Sequence, residues 1–302
     1  MNYFCTITTV SHLYKVYALA ESLQNQGSAF LLTILVVDGD KNFQFPNCSF
    51  YDLADIKNCT SAEQIILKYG SNKDKLRWSL KAVFMKYLLE QPEVNSIIYL
   101  DNDLFFYSGY QFLFDLLNKH SFLLTPHFYR NNPKSGQNWL EANFRLGLYN
   151  AGFVGANKSA VKTLQWWANC CLYRCEKNSF RGLFDDQKYL DMVPIMEKTA
   201  YIVRHKGCNV AGWNTTLCKR EIVDHKVKID GRFDLVFIHY NETTIREIIN
   251  GSDTILFNYY CVYVEALRKY KEHLRKKDIY FERPVIEKLK LGLWRIITEL
   301  GI

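Results

Sequence analysis

Two apolar runs with one amphipathic stretch between them open the chain, and that order restricts the fold more than any other feature. Residues 3–10 are rich in β-branched and aromatic side chains, which favours a strand. In residues 12–26 the apolar positions Leu13, Val16, Tyr17, Ala20 and Leu23 fall at helical spacing, and Gly27 stops the helix. Residues 30–37 are apolar on both faces, as a strand inside a parallel sheet must be. Strand, helix and strand over so short a span read as a βαβ unit, and the fold class as α/β. Further strands are expected at 96–100, 121–125, 148–156, 200–203 and 235–239. Further helices are expected at 77–90, 111–118, 160–175, 185–192 and from 258 onward. Thr60-Ser61-Ala62-Glu63 resembles a capping box ahead of a short helix. Residues 127–145 are polar and contain Pro133 and Gly136, so they read as one long loop. No interdomain linker stands out, which leaves a catalytic domain over 1–255 with a helical extension over 256–302.

Composition excludes several classes. Hydrophobic residues make up 48% and charged residues 23%, as in a soluble globular protein. The net charge of +7 contains no Lys/Arg run of five, and much of it lies in the last forty residues, so nucleic acid is not expected as a partner. The nine cysteines form no CxxC pair, which argues against structural zinc and for free thiols in a reducing, cytoplasmic setting. No secretory signal precedes the first strand, and no apolar stretch is long enough to span a bilayer.

The chemistry concentrates at Asp101-Asn102-Asp103. The motif follows the apolar run Ile97-Ile98-Tyr99-Leu100 directly. In α/β sheets, ligands bind beyond the carboxyl ends of strands. Two carboxylates at i and i+2 there can share a hard divalent cation, which keeps positions open for phosphate oxygens. A cation so held neutralises a leaving diphosphate. Asp is also common at strand ends and turns without any metal.

The run Tyr99-Leu100-Asp101-Asn102-Asp103-Leu104 resembles the YLDxDxxF signature of GT-A-fold glycosyltransferases. It is most similar to the retaining group of glycogenin and bacterial lipopolysaccharide galactosyltransferases. Four more segments agree in order: Thr8-Thr9-Val10-Ser11-His12, Tyr149-Asn150-Ala151-Gly152-Phe153, Phe184-Asp185-Asp186-Gln187-Lys188-Tyr189-Leu190 and Cys208-Asn209-Val210-Ala211-Gly212-Trp213-Asn214. The resemblance spans residues 3–240. It implies a GT-A-like, Rossmann-like mixed sheet flanked by helices, acting on a nucleotide sugar, usually UDP-linked, with Mn²⁺ or Mg²⁺.

Residue roles follow by the same resemblance. Asp101, Asp103 and His239 would hold the metal. Thr8, Thr9, Ser11 and Asp38 would face the nucleotide, with Asn102 beside them, although Ser11 also suits a helix cap. Lys81 would approach the donor or stand as an ordinary helix lysine. Asn150 and Gly152 would sit near the donor sugar, or mark a strand bulge. Asp186 and Gln187 would lie beside the anomeric carbon; Asp185 competes with them or caps the next helix. His127 is a further candidate nearer the acceptor. The chain departs from the glycogenin-like HxxGxxKPW pattern, because Tyr240-Asn241-Glu242 follows His239.

The implied reaction is retaining transfer of a hexose to a saccharide or lipid-linked acceptor of a surface polysaccharide or lipopolysaccharide. A protein-glycosylating effector or a non-catalytic sugar-nucleotide-binding module would carry similar motifs. A nucleotidyltransferase would need a Gly-rich loop, and residues 8–12 have no glycine. In residues 282–300, Ile286, Leu289, Leu293, Ile296, Ile297 and Leu300 share one helical face, with Lys288, Lys290 and Arg295 elsewhere. Such a helix suits peripheral contact with the inner face of the membrane.

Overall fold

A computed structural model describes residues 1–59 and 61–271. In chain order the first half comprises β1 (Asn2–Thr8), α1 (Leu13–Gln24), β2 (Phe30–Val36), β3 (Cys48–Asp52), α2 (Leu53–Ile56), α3 (Ala62–Tyr69), α4 (Lys73–Leu89), β4 (Ser96–Leu100), β5 (Leu104–Phe106), α5 (Gln111–Leu117) and β6 (Phe122–Pro126). The second comprises α6 (Gln137–Arg145), β7 (Tyr149–Asn157), α7 (Val161–Tyr173), β8 (Lys177–Asn178), β9 (Leu183–Phe184), α8 (Val193–Met196), β10 (Ala200–Ile202), β11 (Arg220–Val223), β12 (Lys226–Ile229), β13 (Phe233–Asp234), β14 (Phe237–His239), α9 (Glu242–Ile249) and α10 (Phe257–Tyr270).

Seven strands form the central sheet in the order β10-β6-β7-β4-β1-β2-β3. All pair in parallel except β7, which runs against β4 and β6. The carboxyl ends of β1, β2, β4 and β6 therefore reach one rim, and the reversed β7 begins there. Apolar side chains cover both faces. One face packs under α4 and α7, where Trp167 is fully buried; the other packs under α1 and α5, around Phe4, Phe106 and Phe153.

A third apolar cluster joins β14, α9 and α10 to α1 and β5. There α10 is tied to α1 by the Lys269–Glu21 ion pair at 2.5 Å and a Tyr270 hydroxyl donating to Glu21 at 2.6 Å.

Most expected elements form within a few residues of their expected ends. The β1–α1 pair, β2, β4, β6, β7 and α7 lie where the apolar spacing put them. Helix α4 starts a turn earlier than expected, because the Asn72 side chain accepts the Lys75 amide and caps it.

The expected loop at 127–145 is corrected: its second half is α6. Only Ala142 of that helix is buried, so it carries almost no apolar stripe to read. The small sheet β11-β12-β13 was not foreseen either. Its hairpin turns on Asp224 and His225, both left-handed without a glycine, and its strands are charged and half exposed. The membrane-surface helix expected at 282–300 lies outside the described residues. Among those described, no helix is long and apolar enough to cross a membrane.

A buried ion pair fastens the small sheet to the rest. Arg220 Nε lies 3.0 Å from Asp253 Oδ2, and the same guanidinium reaches the Ala211 carbonyl at 2.6 Å and Asn214 Oδ1 at 3.2 Å. Both side chains are under a tenth exposed. Removing one partner strands the other charge, so Arg220→Ala should cost about 3–5 kcal/mol in urea unfolding. A loss below about 1 kcal/mol would show that the pair carries little of the fold.

Candidate active site

Register brings the distant site residues together. After Leu100 the chain turns through Asp101-Asn102-Asp103 into β5, which pairs antiparallel with β14 so that His239 stands opposite Leu104. The Tyr240 amide donates to the Asp103 carbonyl at 2.8 Å, closing the ladder. As a result, ligand atoms of Asp101, Asp103 and His239 all lie within 4.8 Å of one another.

Each ligand is oriented by a neighbour. Tyr99 and Asp101 share a strand face at i and i+2, and the Tyr99 hydroxyl donates to Asp101 Oδ1 at 2.9 Å. The Lys81 ammonium approaches that same oxygen at 3.2 Å. Oδ2 is thereby turned toward β7: a Cβ on Gly152 would stand 2.8 Å from it and 2.6 Å from His239 Cε1. Glycine here is a steric requirement of the cluster. His239 Nε2 lies 3.1 Å from Asp103 Oδ1, and its Nδ1 faces Asn209 Oδ1 at 3.2 Å. Nδ1 can donate to Asn209, while the contact with Asp103 is a hydrogen bond when Nε2 is protonated; Nε2 must lose that proton before its lone pair can serve a cation.

Two carboxylates and an imidazole at this spacing could hold a divalent cation. The cluster's electrostatics fit such a cation. Burial alone would raise the Asp103 carboxyl, but the neighbouring His239 ring, with help from Lys15, holds it well below the usual carboxylate range. Burial would lower His239; Asp103 and Asp101 overcome this and raise it.

Lys81 is 2% exposed, and its ammonium lies 3.3 Å from Asp186 Oδ2 and 3.1 Å from the Ala151 carbonyl. Burial opposes its charge, yet Asp101 and Asp186 hold it above the ordinary lysine range. Asp186 is buried in turn. Desolvation raises its carboxyl to about 6 against the pull of Lys81, with Asp101 and Asp185 adding repulsion. Its Oδ2 meets Lys81 as an ion pair but makes no hydrogen bond.

The backbone at Asp185 is left-handed, at φ +48°, so the chain bends between the two acids. Asp185 faces Lys177 at 3.5 Å, while Asp186 turns inward beside Lys81. Gln187 is braced rather than loose. Its Oε1 accepts from the Ala151 amide at 3.2 Å and Asn150 Nδ2 at 3.4 Å, and its Nε2 donates to the Leu146 carbonyl at 2.9 Å. Asn150 Oδ1 accepts the Gly152 amide at 3.0 Å, and its Nδ2 donates to His127 Nε2 at 3.2 Å. Burial pushes His127 down to about 3, so it is a neutral ring, stacked on Tyr129 at 4.6 Å.

The expected nucleotide-side residues gather at the ends of β1 and β2. Asn102 Nδ2 donates to Thr8 Oγ1 at 3.1 Å, which ties the metal motif to the first strand. Thr9 Oγ1 lies 3.1 Å from Ser11 Oγ and 2.7 Å from His12 Nδ1. Asp38 accepts the Val10 amide at 2.8 Å and pairs with Lys73 at 2.6 Å, pinning that loop. Sequence reasoning gave no role to Tyr99 or to Asn209. Strand alternation marks Tyr99 as facing with Asp101; nothing local marks Asn209, whose role comes from its contact with a ring thirty residues away.

No family model matches the chain. Two Bacillus subtilis (strain 168) proteins are similar to it. The uncharacterized protein YfnF is 25% identical over 92% of this chain and 95% of its own, and the uncharacterized protein YfnD is 28% identical over 80% and 78%. Among solved structures, the galactosyltransferase LgtC in complex with donor and acceptor sugar analogs superposes with a TM-score of 0.53 at 10% identity, over 91% of this chain and 98% of that one. Mouse xyloside xylosyltransferase 1 gives 0.50 at 14% identity, over 80% and 98%. The bifunctional glycosyltransferase WbbM gives 0.51 at 10%, covering 88% of this chain and 49% of WbbM.

The fold is that of the GT-A glycosyltransferases. As in the sequence reading, it resembles the LgtC group.

Two outcomes test the geometry. Gly152→Ala forces a methyl between Asp101 and His239, so Mn²⁺ binding measured by calorimetry should fall at least about tenfold, or ~1.4 kcal/mol; unchanged binding would place the metal elsewhere. Protons compete with the cation for His239 Nε2, whose pKa is raised. Below that pKa the ring is charged and repels the cation; above it the lone pair is free. Mn²⁺ affinity should therefore climb with pH through the titration of His239 and then level, and the step should vanish in His239→Gln.

Proposed function

We propose that this protein is a glycosyltransferase that moves a hexose from a nucleotide sugar, with UDP as the expected carrier, to a saccharide or lipid-linked acceptor with retention of configuration. The observation that carries the reading is the Asp101–Asp103–His239 cluster at the sheet rim, with the buried Asp186 facing it across Lys81, in a GT-A fold.

The cluster would hold Mn²⁺ or Mg²⁺, which when bound stabilises the charge of a departing diphosphate. The protein's own groups do the rest. Lys81 balances Asp101 and Asp186, so that two acids can stand at one reaction centre without repelling each other out of position. Asp186 offers a carboxylate to a centre that becomes electron-poor at the anomeric carbon, either as a nucleophile or as an electrostatic support. Burial raises its carboxyl to about 6, while the Lys81 ammonium favours its ionised form. Gln187, locked by three hydrogen bonds, fixes the Asn150–Gly152 segment against which a donor sugar would lie. Thr8, Thr9, Ser11 and Asp38 shape the loop at the end of β1 for the nucleoside.

A donor-hydrolysis screen across nucleotide sugars, with and without Mn²⁺, tests the whole reading. One preferred UDP-sugar should be hydrolysed, and EDTA should abolish turnover. Asp103→Ala and Asp186→Asn should each lose at least about a hundredfold in kcat/KM, or ~2.7 kcal/mol of transition-state stabilisation. Equal turnover in EDTA, or a fully active Asp103→Ala, would overturn it.

A further inference from the structure

At the edge of the sheet, a groove of about 530 Å³ runs between α5 and the edge strand β10. Its walls are aromatic: Phe112 from α5, Tyr201 from β10 and Phe233 from β13. The His205 ring sits between two of these, 5.3 Å from Phe112 and 4.9 Å from Phe233. Lys119, Arg204 and Arg232 also line it, and Asp115, held by Gln111 at 3.2 Å, is the single acid in the lining.

Among the described residues, Lys119, Arg204 and Arg232 form no ion pair, and the groove they line holds three cations against one acid. The Arg232 guanidinium lies over the Phe233 ring, 4.5 Å from its centroid. Three cations against one acid around an apolar trough are complementary to an anion on an apolar body. Guanidinium groups match carboxylate and phosphate oxygens in pairs, and aromatic faces take the C–H face of a sugar ring. The volume lies in the range of small-ligand sites, which runs from about 300 to 1,000 Å³.

We infer that this groove binds an acidic saccharide, a sugar unit bearing a carboxylate or phosphate, at a site separate from the donor site. The choice of a saccharide rests on the glycosyltransferase reading; the anion selectivity does not. The chain that leaves the groove at His205 reaches Asn209, which contacts His239, four residues later. An acidic polymer held here would stay tethered while its end is extended at the rim.

Ligand-observed NMR on the full chain tests this with four probes: a glucuronate-containing disaccharide, its carboxyl-reduced neutral counterpart, inorganic phosphate and UMP. The acidic disaccharide should bind, the neutral one at least about tenfold more weakly. Arg204→Gln/Arg232→Gln should abolish that difference while leaving donor hydrolysis unchanged. Binding that persists in the double variant would place the sugar elsewhere and overturn the inference. Phosphate alone binding as well as the disaccharide would make this a plain anion site, and tighter UMP binding a nucleotide site; either overturns the saccharide assignment. Probe binding without any donor hydrolysis would sink the transferase reading and leave the acidic groove standing, whereas hydrolysis without probe binding would do the reverse.

Discussion

Acidic groups crowded at the end of a buried strand repel one another, and much of the structure around the rim answers that repulsion. Two like charges 4 Å apart cost about 4 kcal/mol at an effective dielectric of 20. Asp101, Asp103 and Asp186 meet this in three different ways. Asp101 gives one oxygen to Tyr99 and Lys81 and turns the other toward Gly152. Asp103 is matched by His239. Asp186, the most buried of the three, is matched only by a shared lysine and rises to about 6. The residual negative charge lies at Asp101 and Asp103, on the side where a divalent cation fits, so the protein's own cation supports the cluster from behind instead of competing for it.

This arrangement depends on long-range pairing more than on the motif. Asp101 and Asp103 come from one turn, but the third ligand is more than 130 positions away. Its placement follows from the two-stranded β5–β14 ladder, in which a slip of one residue would send the His239 ring to the opposite face. The ladder is held in turn by the loop at 208–214. Val210 accepts the His239 amide, Asn209 meets its ring, and Asn214 ties back to Asn209. Arg220 grips that loop at Ala211 and Asn214. The small charged sheet is therefore part of the site's support, although none of its strands touches the cluster.

What could be read in the sequence follows the same division. Buried parallel strands announce themselves as unbroken apolar runs, so β2 and β4 were legible, and so was the exposed end of β4 carrying two acids. The helices α1 and α7 were legible because each buries a stripe at regular spacing. Helix α6 was not, since it buries one alanine, and neither was β11–β13, whose residues look like a solvated loop. At the site, periodicity alone drew attention to Asp101 and Asp103. Lys81, Asn150, Asp186 and His239 came from resemblance, because a side chain's partner across the fold leaves no local trace. The degree of burial of Lys81 was equally invisible: a lysine in an amphipathic helix looks exposed until the acids it neutralises are in place.

The segment after His239 shows why departure from a family pattern needs a structural reading. Where the resemblance calls for a glycine- and lysine-bearing loop, this chain continues with Tyr240-Asn241-Glu242. Tyr240 is fully buried, stacked on Tyr263 at 4.1 Å with its hydroxyl bonded to Tyr107 at 2.6 Å. Asn241 caps α9 by accepting the Thr244 amide at 3.0 Å. These residues are committed to the fold and have no freedom to wrap a diphosphate. On the proposed function, neutralising such a group would fall on a cation held by Asp101, Asp103 and His239 and on positive charge brought by α1, whose Lys15 already lowers the Asp103 carboxyl. The way Gly152, Tyr99 and Asn209 fix those three side chains would then have a chemical reason as well as a steric one.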